Sequence, residues 1–206
     1  MATLDTLKRA LRQESTAMGS LPKQSLSDRQ YSDGLDILQQ GIGSMTYRDF
    51  IIPQLSRLVA PLFHSHVNIS VLEIGPGLRS VFGCLPGHLR RRIRRYAAFE
   101  PNELIATKLE KWFCSTSETE APLPCLESPP DIRRVSFDLA SNDISGTSSD
   151  THESKEKFDV ILFCHSMYGL KSKARFVERA LEMLVGGPKG EWWWFSTATS
   201  PCGSTD

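Results

Sequence analysis

The chain has 206 residues, 40% of them hydrophobic, and its 24 basic and 24 acidic residues leave no net charge. This length suits one domain with a real core, and a neutral chain has no overall field to attract nucleic acid or an anionic membrane. The start of the chain has no apolar signal segment, and no apolar run approaches the roughly 20 residues of a membrane span. We therefore expect a soluble, cytoplasmic protein whose partner is a small molecule.

The cysteines argue against a metal centre. They are odd in number, form no C-x-x-C pair and have no histidines at zinc spacing. They are Cys84, Cys114, Cys125, Cys164 and Cys202. We expect reduced thiols and no bound metal.

The first third of the chain predicts helices. We expect a short helix and a flexible arm in residues 1–28, then a helical cap in residues 29–66. Within the cap, residues 27–40 predict a helix that ends at Gly41 and Gly43. Thr46 with Asp49 resembles a capping box for the next helix, in which Pro53 marks either a kink or the true start.

Residues 67–206 form the predicted α/β core, because buried apolar strands alternate there with amphipathic helices. The predicted strands are 67–74, 95–100, 132–137, 158–164 and 191–196, and the clearest helix is 102–113. Such alternation implies parallel pairing with right-handed crossovers. The predicted fold is a doubly wound, mainly parallel, Rossmann-like sheet.

The first of these strands ends in a glycine turn that suits a nucleotide-type ligand. Residues 71–77 read VLEIGPG, so Gly75 and Gly77 let the backbone turn tightly and expose bare amides, while Glu73 is expected to face a cationic or donor-rich group. The third glycine of a dinucleotide fingerprint would fall at Ser80. This disfavours a nicotinamide-dependent oxidoreductase, which stays as an alternative.

The second strand ends in another acid at a spacing that suits a ribose. Glu100 lies 23 residues after Gly77, and a carboxylate at about this distance can accept from both ribose hydroxyls. Pro101 stops the strand, and Asn102 offers a helix cap. The alternative for Glu100 is a solvated acid at a strand end.

Over about residues 67–196 the chain resembles the class I S-adenosylmethionine (SAM)-dependent methyltransferases. The resemblance rests on four segments that occur in order before an aromatic strand, namely EIGPG, FEPN, FDVILFCHS and GGPKG. YAAFEPN and HSMYGL resemble the small-molecule branch, near histamine N-methyltransferase-like proteins and methyltransferases of fungal secondary metabolism. The resemblance implies SAM as cofactor and a small-molecule acceptor.

The resemblance also implies roles for residues. Glu73 would lie near the ammonium end of SAM or its water shell, Gly75 and Gly77 beneath its methionine part, Glu100 at the ribose and Asp138 at the adenine amine. Further cofactor contacts are implied at Pro101, Asn102, Cys164 and His165.

The acceptor side is less constrained by motifs. His165 directly follows the fourth strand and is either a general base or a structural histidine that caps the strand. Tyr168, with Tyr31 and Tyr47 from the helical cap, is expected to shape the acceptor pocket. The arginine cluster at residues 90–95 is expected to be solvated rather than to bind nucleic acid.

Two features depart from the family pattern. Arg79 stands where many members have a third glycine, and it is expected to crowd the methionine end of SAM. After strand 191–196 only residues 197–206 remain, which leaves no room for two further strands. We therefore expect either a shortened form or a partner, such as a second copy, that covers this apolar edge. The leading hypothesis is a methyltransferase of secondary-metabolite biosynthesis, and the alternative is a non-catalytic relative that acts as a binding partner.

Overall fold

A four-stranded parallel sheet forms the centre of the computed structural model, which describes residues 26–114, 121–137, 156–164, 166 and 172–186. Its strands are β1 (Ile69–Ile74), β2 (Ile93–Phe99), β3 (Asp131–Arg133) and β4 (Val160–Phe163). They lie side by side in the order β3-β2-β1-β4, and every pair is parallel. The predicted α/β class with a parallel Rossmann-like sheet is confirmed.

Helices precede the sheet and connect its strands. In chain order they are α1 (Asp28–Gln40), α2 (Ile42–Thr46), a π-helical turn (Tyr47–Ile51), α3 (Ile52–Ser65), a 3-10 turn (Phe82–Cys84), α4 (Gly87–Arg90), α5 (Glu103–Cys114) and α6 (Lys173–Glu182). None of these helices is long and apolar enough to cross a membrane.

The helical cap starts as expected but continues differently. Ser27 and Gln30 form a reciprocal capping box at the start of α1, which begins where the sequence predicts. Thr46 has helical backbone angles and makes no side-chain cap, so the predicted capping box with Asp49 is wrong. Pro53 lies in the first turn of α3, where a missing N–H costs nothing.

Both faces of the sheet are buried, because side chains alternate along β1. Val71 belongs to one apolar cluster with Phe63 of α3. Leu72, the next residue, belongs to another with Ala180 of α6. Helices therefore cover both faces, as the doubly wound arrangement requires. The predicted strand 191–196 and the predicted first helix lie outside the described residues.

Candidate functional site

The turn after β1 has a backbone that favours glycine at two positions. Gly75 has φ +67° and Gly77 has φ +74°, where other L-residues are strained. A Cβ added to Gly75 would lie 3.0 Å from both the Cys164 carbonyl oxygen and the Ser166 Cβ. One added to Gly77 would lie 3.0 Å from Nε2 of Gln39. The bare backbone therefore forms a narrow cradle between β4 and α1.

A cavity of about 520 Å³ opens beside this turn, and we call it the glycine cavity. It lies between α1 and the carboxyl edge of the sheet, where ligands of open α/β sheets bind. Its walls are Leu26, Asp28, Tyr31, Leu35, Gln39, Gly75, Gly77, Glu100, Pro101, Asn102, Ile105, Cys164 and Ser166. The structure thus places six of the predicted cofactor residues, from three separate parts of the chain, around one space.

Glu100 directly follows β2 and supplies the acid of this cavity. Its side chain is only 6% exposed, and Oε1 accepts from the backbone N–H of Asn102 at 3.1 Å. Burial raises the pKa of Glu100, and the backbone amides of Asn102 and Gly77 oppose that shift. A ligand that donates hydrogen bonds here would satisfy a carboxylate that has no ion pair among the described residues.

Asn102 caps α5, as the sequence predicts, and also holds α1. Its Oδ1 accepts from the N–H groups of Leu104 and Ile105 at 3.0 and 3.1 Å. Its Nδ2 donates to the carbonyl oxygen of Asp28 at 3.2 Å. One side chain therefore joins the helix after β2 to the helix that covers the cavity, a link for which the sequence carries no signal.

Glu73 does not line the glycine cavity, which corrects the prediction that it faces a ligand. It has no exposed surface: Oε2 accepts from the Tyr96 hydroxyl at 2.6 Å, and Oε1 from the Val81 N–H at 2.9 Å. Alternation along β1 places Glu73 on the same face as Val71, toward the core beneath the turn. Burial raises its pKa. Glu73 therefore supports the segment after the glycines from below.

Cys164 connects the cavity wall to this buried carboxyl. It lies just after β4, and its Sγ donates to Oε1 of Glu73 at 3.6 Å. Burial, and secondly the charge of Glu73, raise the pKa of the Cys164 thiol well above its usual range. The thiol stays protonated near neutral pH and acts here as a small apolar wall rather than a nucleophile.

A second cavity, of about 390 Å³, lies between the helical cap and residues 78–84, and we call it the helix cavity. Its walls are Asp36, Gln39, Gln40, Ser44, Tyr47, Arg48, Ile52, Leu78, Arg79, Ser80, Val81 and Cys84. Tyr47 lies here while Tyr31 lines the glycine cavity, so the two predicted acceptor tyrosines belong to different spaces. Arg79 is exposed on this wall, and the expectation that it crowds the methionine end of SAM stays a prediction.

Three predicted site residues, Asp138, His165 and Tyr168, lie outside the described residues. Their roles remain predictions. Within the part of the chain that the structure describes, no cluster of three or more metal-ligating side chains occurs.

No family model matches the chain, and no curated protein matches it. Solved structures do resemble it. The plantazolicin methyltransferase BpumL, in complex with a triazolic desmethylPZN analogue and SAH, is 14% identical, and the match covers 87% of this chain and 54% of that one with a TM-score of 0.46. An S-adenosylmethionine-dependent methyltransferase from Clostridium acetobutylicum is 15% identical over 76% of this chain and 55% of that one, with a TM-score of 0.44. A putative S-adenosyl-L-methionine-dependent methyltransferase from Methanococcus maripaludis is 14% identical over 82% and 64%, with a TM-score of 0.43. The chain spans about half the length of the first two.

Proposed function

We propose that the chain binds SAM in the glycine cavity and transfers its methyl group to a small-molecule acceptor. The observation that carries this proposal is the pairing of two features across one cavity. The bare backbone of Gly75 and Gly77 forms one wall, and the carboxylate of Glu100 forms another. This arrangement suits a nucleoside whose ribose hydroxyls donate to Glu100 and whose amino-acid tail lies on the glycines.

The segment after the glycine turn favours SAM over a dinucleotide. Pyrophosphate binds at the N-terminus of a helix, where several free N–H groups and the helix dipole face the anion. In this chain the turn leads into a 3-10 turn, Phe82–Cys84, and the four-residue helix Gly87–Arg90. The position of the third fingerprint glycine holds Ser80, which is fully buried. A cofactor without phosphates fits this wall better.

Methyl transfer requires the protein chiefly to bind the cofactor and the acceptor and to align them. When bound, SAM supplies an electrophilic methyl group that leaves its sulfonium sulfur as an acceptor lone pair attacks in line. Glu100 would fix the ribose, and Cys164 and Ser166 would close the floor beneath it. His165 and Asp138 are proposed as general base and adenine contact, with Tyr168 as an acceptor contact.

We further propose that the acceptor belongs to small-molecule biosynthesis. The support is the sequence resemblance of YAAFEPN and HSMYGL to the small-molecule branch of the family. A cytoplasmic location and a partner covering strand 191–196 also stay predictions from the sequence.

The test is calorimetric titration of the protein with SAM and with S-adenosylhomocysteine (SAH), its demethylated product. We expect Glu100→Ala to lose at least about 1 kcal/mol of binding free energy, the scale of a lost partner for buried hydroxyls. Glu178→Ala is the matched control, because that glutamate is exposed on α6 away from the cavity. Unchanged affinity for SAH in Glu100→Ala would show that this residue is not part of the site. Binding of NADH without binding of SAH would reject the proposed cofactor.

Affinity for SAH should depend on pH through the same residue. Because burial raises the pKa of Glu100 in the free protein, its acceptor form is lost as pH falls through a range above the usual glutamate value of 4.5. Affinity should therefore weaken on acidification, and Glu100→Gln should flatten that profile. Transfer of an isotopic methyl group into a product of a cell extract tests turnover.

A further inference from the structure

We propose that the helix cavity is the acceptor site and that the acceptor is a small acid, with a carboxylate beside an apolar body. This inference rests on the proposed function, since it assigns the second substrate of the same reaction. The cavity volume of about 390 Å³ lies within the range of small-molecule pockets.

The apolar part of the cavity comes from three segments of the chain. Ile52 begins α3, Tyr47 begins the π-helical turn, and Leu78 and Val81 follow the glycine turn. Leu78 and Val81 are buried, and Ile52 and Tyr47 pack partly against the larger apolar cluster. A ligand that enters here meets a packed apolar patch beside the exposed polar side chains of the same wall.

Among the described residues of this wall, one cation has no close ion pair, although its charge also acts on Asp36. Asp36 is held by Lys108, whose Nζ donates to Oδ2 at 2.7 Å. Arg48 donates to both carboxylate oxygens of Asp49, at 2.6 and 3.1 Å. Arg79 lines the same cavity and has no ion pair within 4.0 Å among the described residues. A guanidinium binds a carboxylate through two parallel N–H groups, so Arg79 selects an acid.

The two cavities meet at one side chain. Gln39 lines both of them, and a Cβ added to Gly77 would lie 3.0 Å from the Gln39 Nε2 atom. A cofactor on the glycine turn and an acceptor against Arg79 therefore lie on opposite sides of Gln39. The acceptor and the cofactor would thus be neighbours, and Gln39 would have to move aside for the in-line contact with the sulfonium methyl that transfer requires.

The probes are indole-3-acetate and 4-hydroxyphenylacetate, each paired with its neutral amide, titrated into the protein with and without SAH. We expect at least one acid to bind at least tenfold more tightly than its amide. Arg79→Gln should abolish that preference. Arg57→Gln is the matched control, because Arg57 is exposed on α3 and does not line the cavity, and it should change the preference less than twofold.

A cysteine on the wall provides an independent readout of where the acid binds. Cys84 and Cys114 are both exposed, but only Cys84 lines the helix cavity. Although part of the residue is exposed, desolvation of the sulfur by neighbouring groups, and secondly the charge of Glu73, raise the pKa of the Cys84 thiol, so its alkylation is measured at mildly alkaline pH. The bound acid should slow alkylation of Cys84 by N-ethylmaleimide at least threefold, read by peptide mass spectrometry, and leave Cys114 unchanged.

Several outcomes would overturn the inference. It is wrong if neither acid binds, if acids and amides bind equally, or if Arg79→Gln keeps the preference. Competition between SAH and the acids would also refute it, because it requires two separate sites. SAH binding that depends on Glu100, together with no binding of the acids, would reject this inference and leave the proposed function standing. Absent SAH binding would reject the proposed function itself.

Discussion

Replacing Tyr96 with phenylalanine tests the buried contact beneath the glycine turn. The Tyr96 hydroxyl donates to Oε2 of Glu73 at 2.6 Å, and both side chains are almost completely buried. Phenylalanine keeps the ring, which packs against Phe113 at a centroid distance of 4.8 Å, and removes the hydroxyl, which also has a hydrogen bond with the Ser80 side chain. The change therefore removes the polar contacts of this hydroxyl and leaves the ring packing in place.

The expected cost follows from the charge of the acceptor. A hydrogen bond to a charged group contributes about 1.5–3 kcal/mol, and a neutral one about 1 kcal/mol. With Glu73 ionised, Tyr96→Phe should lower the free energy of unfolding by about 2 kcal/mol, which corresponds to about 4–8 °C in Tm for a domain of this size. With Glu73 protonated, the loss should fall to about 1 kcal/mol.

The sign of the pH effect follows from linkage. Burial raises the pKa of Glu73 above its ordinary value of 4.5, so the folded state holds this proton more tightly than the unfolded chain. Stability from Glu73 is then fully present below that ordinary value and declines as pH rises through the raised pKa. The Tyr96 bond lowers this pKa, so its removal extends the decline to higher pH and makes the total loss of stability larger.

Urea unfolding followed by circular dichroism at pH 4.5 and pH 8 measures both effects. The cycle with Glu73→Gln is the control, because Tyr96→Phe should cost less once the charged acceptor has gone. A loss below about 0.5 kcal/mol at both pH values would refute a hydrogen bond from Tyr96 at this position, and a loss that shrinks as pH rises would contradict the linkage.

Two further substitutions test the walls of the glycine cavity. Gly77→Ala places a Cβ at φ +74° and 3.0 Å from Gln39, so we expect a stability loss of about 1–2 kcal/mol and at least tenfold weaker SAH binding by calorimetry. Gly34→Ala, which meets nothing within 4 Å in α1, should leave binding unchanged, and equal effects of the two would contradict the strain argument. Asn102→Ala removes the cap of α5 and the tether to Asp28, so thermal unfolding should show a loss of about 1–2 kcal/mol; a loss near zero would show that neither bond contributes.

Local signals predicted the elements that depend on local chemistry. The cap at Asn102 acts within a few residues, so the sequence pattern predicts its structure directly. The parallel pairing also follows from the alternation of strands and helices. Thr46 failed as a start because helical backbone continues through it into the π-helical turn.

The position of Glu73 could not be read from the glycine motif alone. An acid before a glycine turn suggests a ligand contact, but strand parity places Glu73 with Val71 on a face that helices cover. The available signal was the predicted parallel pairing of β1, since parallel sheets are buried on both faces. Its hydrogen-bond donor, Tyr96, comes from the neighbouring strand, and such pairing across strands has no local pattern.

The side chain of Gln39 has a thermodynamic consequence. It contributes to the walls of both cavities, so a molecule that reorients it from one side changes the space available on the other. Linkage then requires reciprocity: whatever factor the first occupant imposes on the affinity of the second, the second imposes on the first. The order in which the two ligands are added cannot alter that factor. Gln39→Ala should bring the factor toward one, so that the two ligands bind independently.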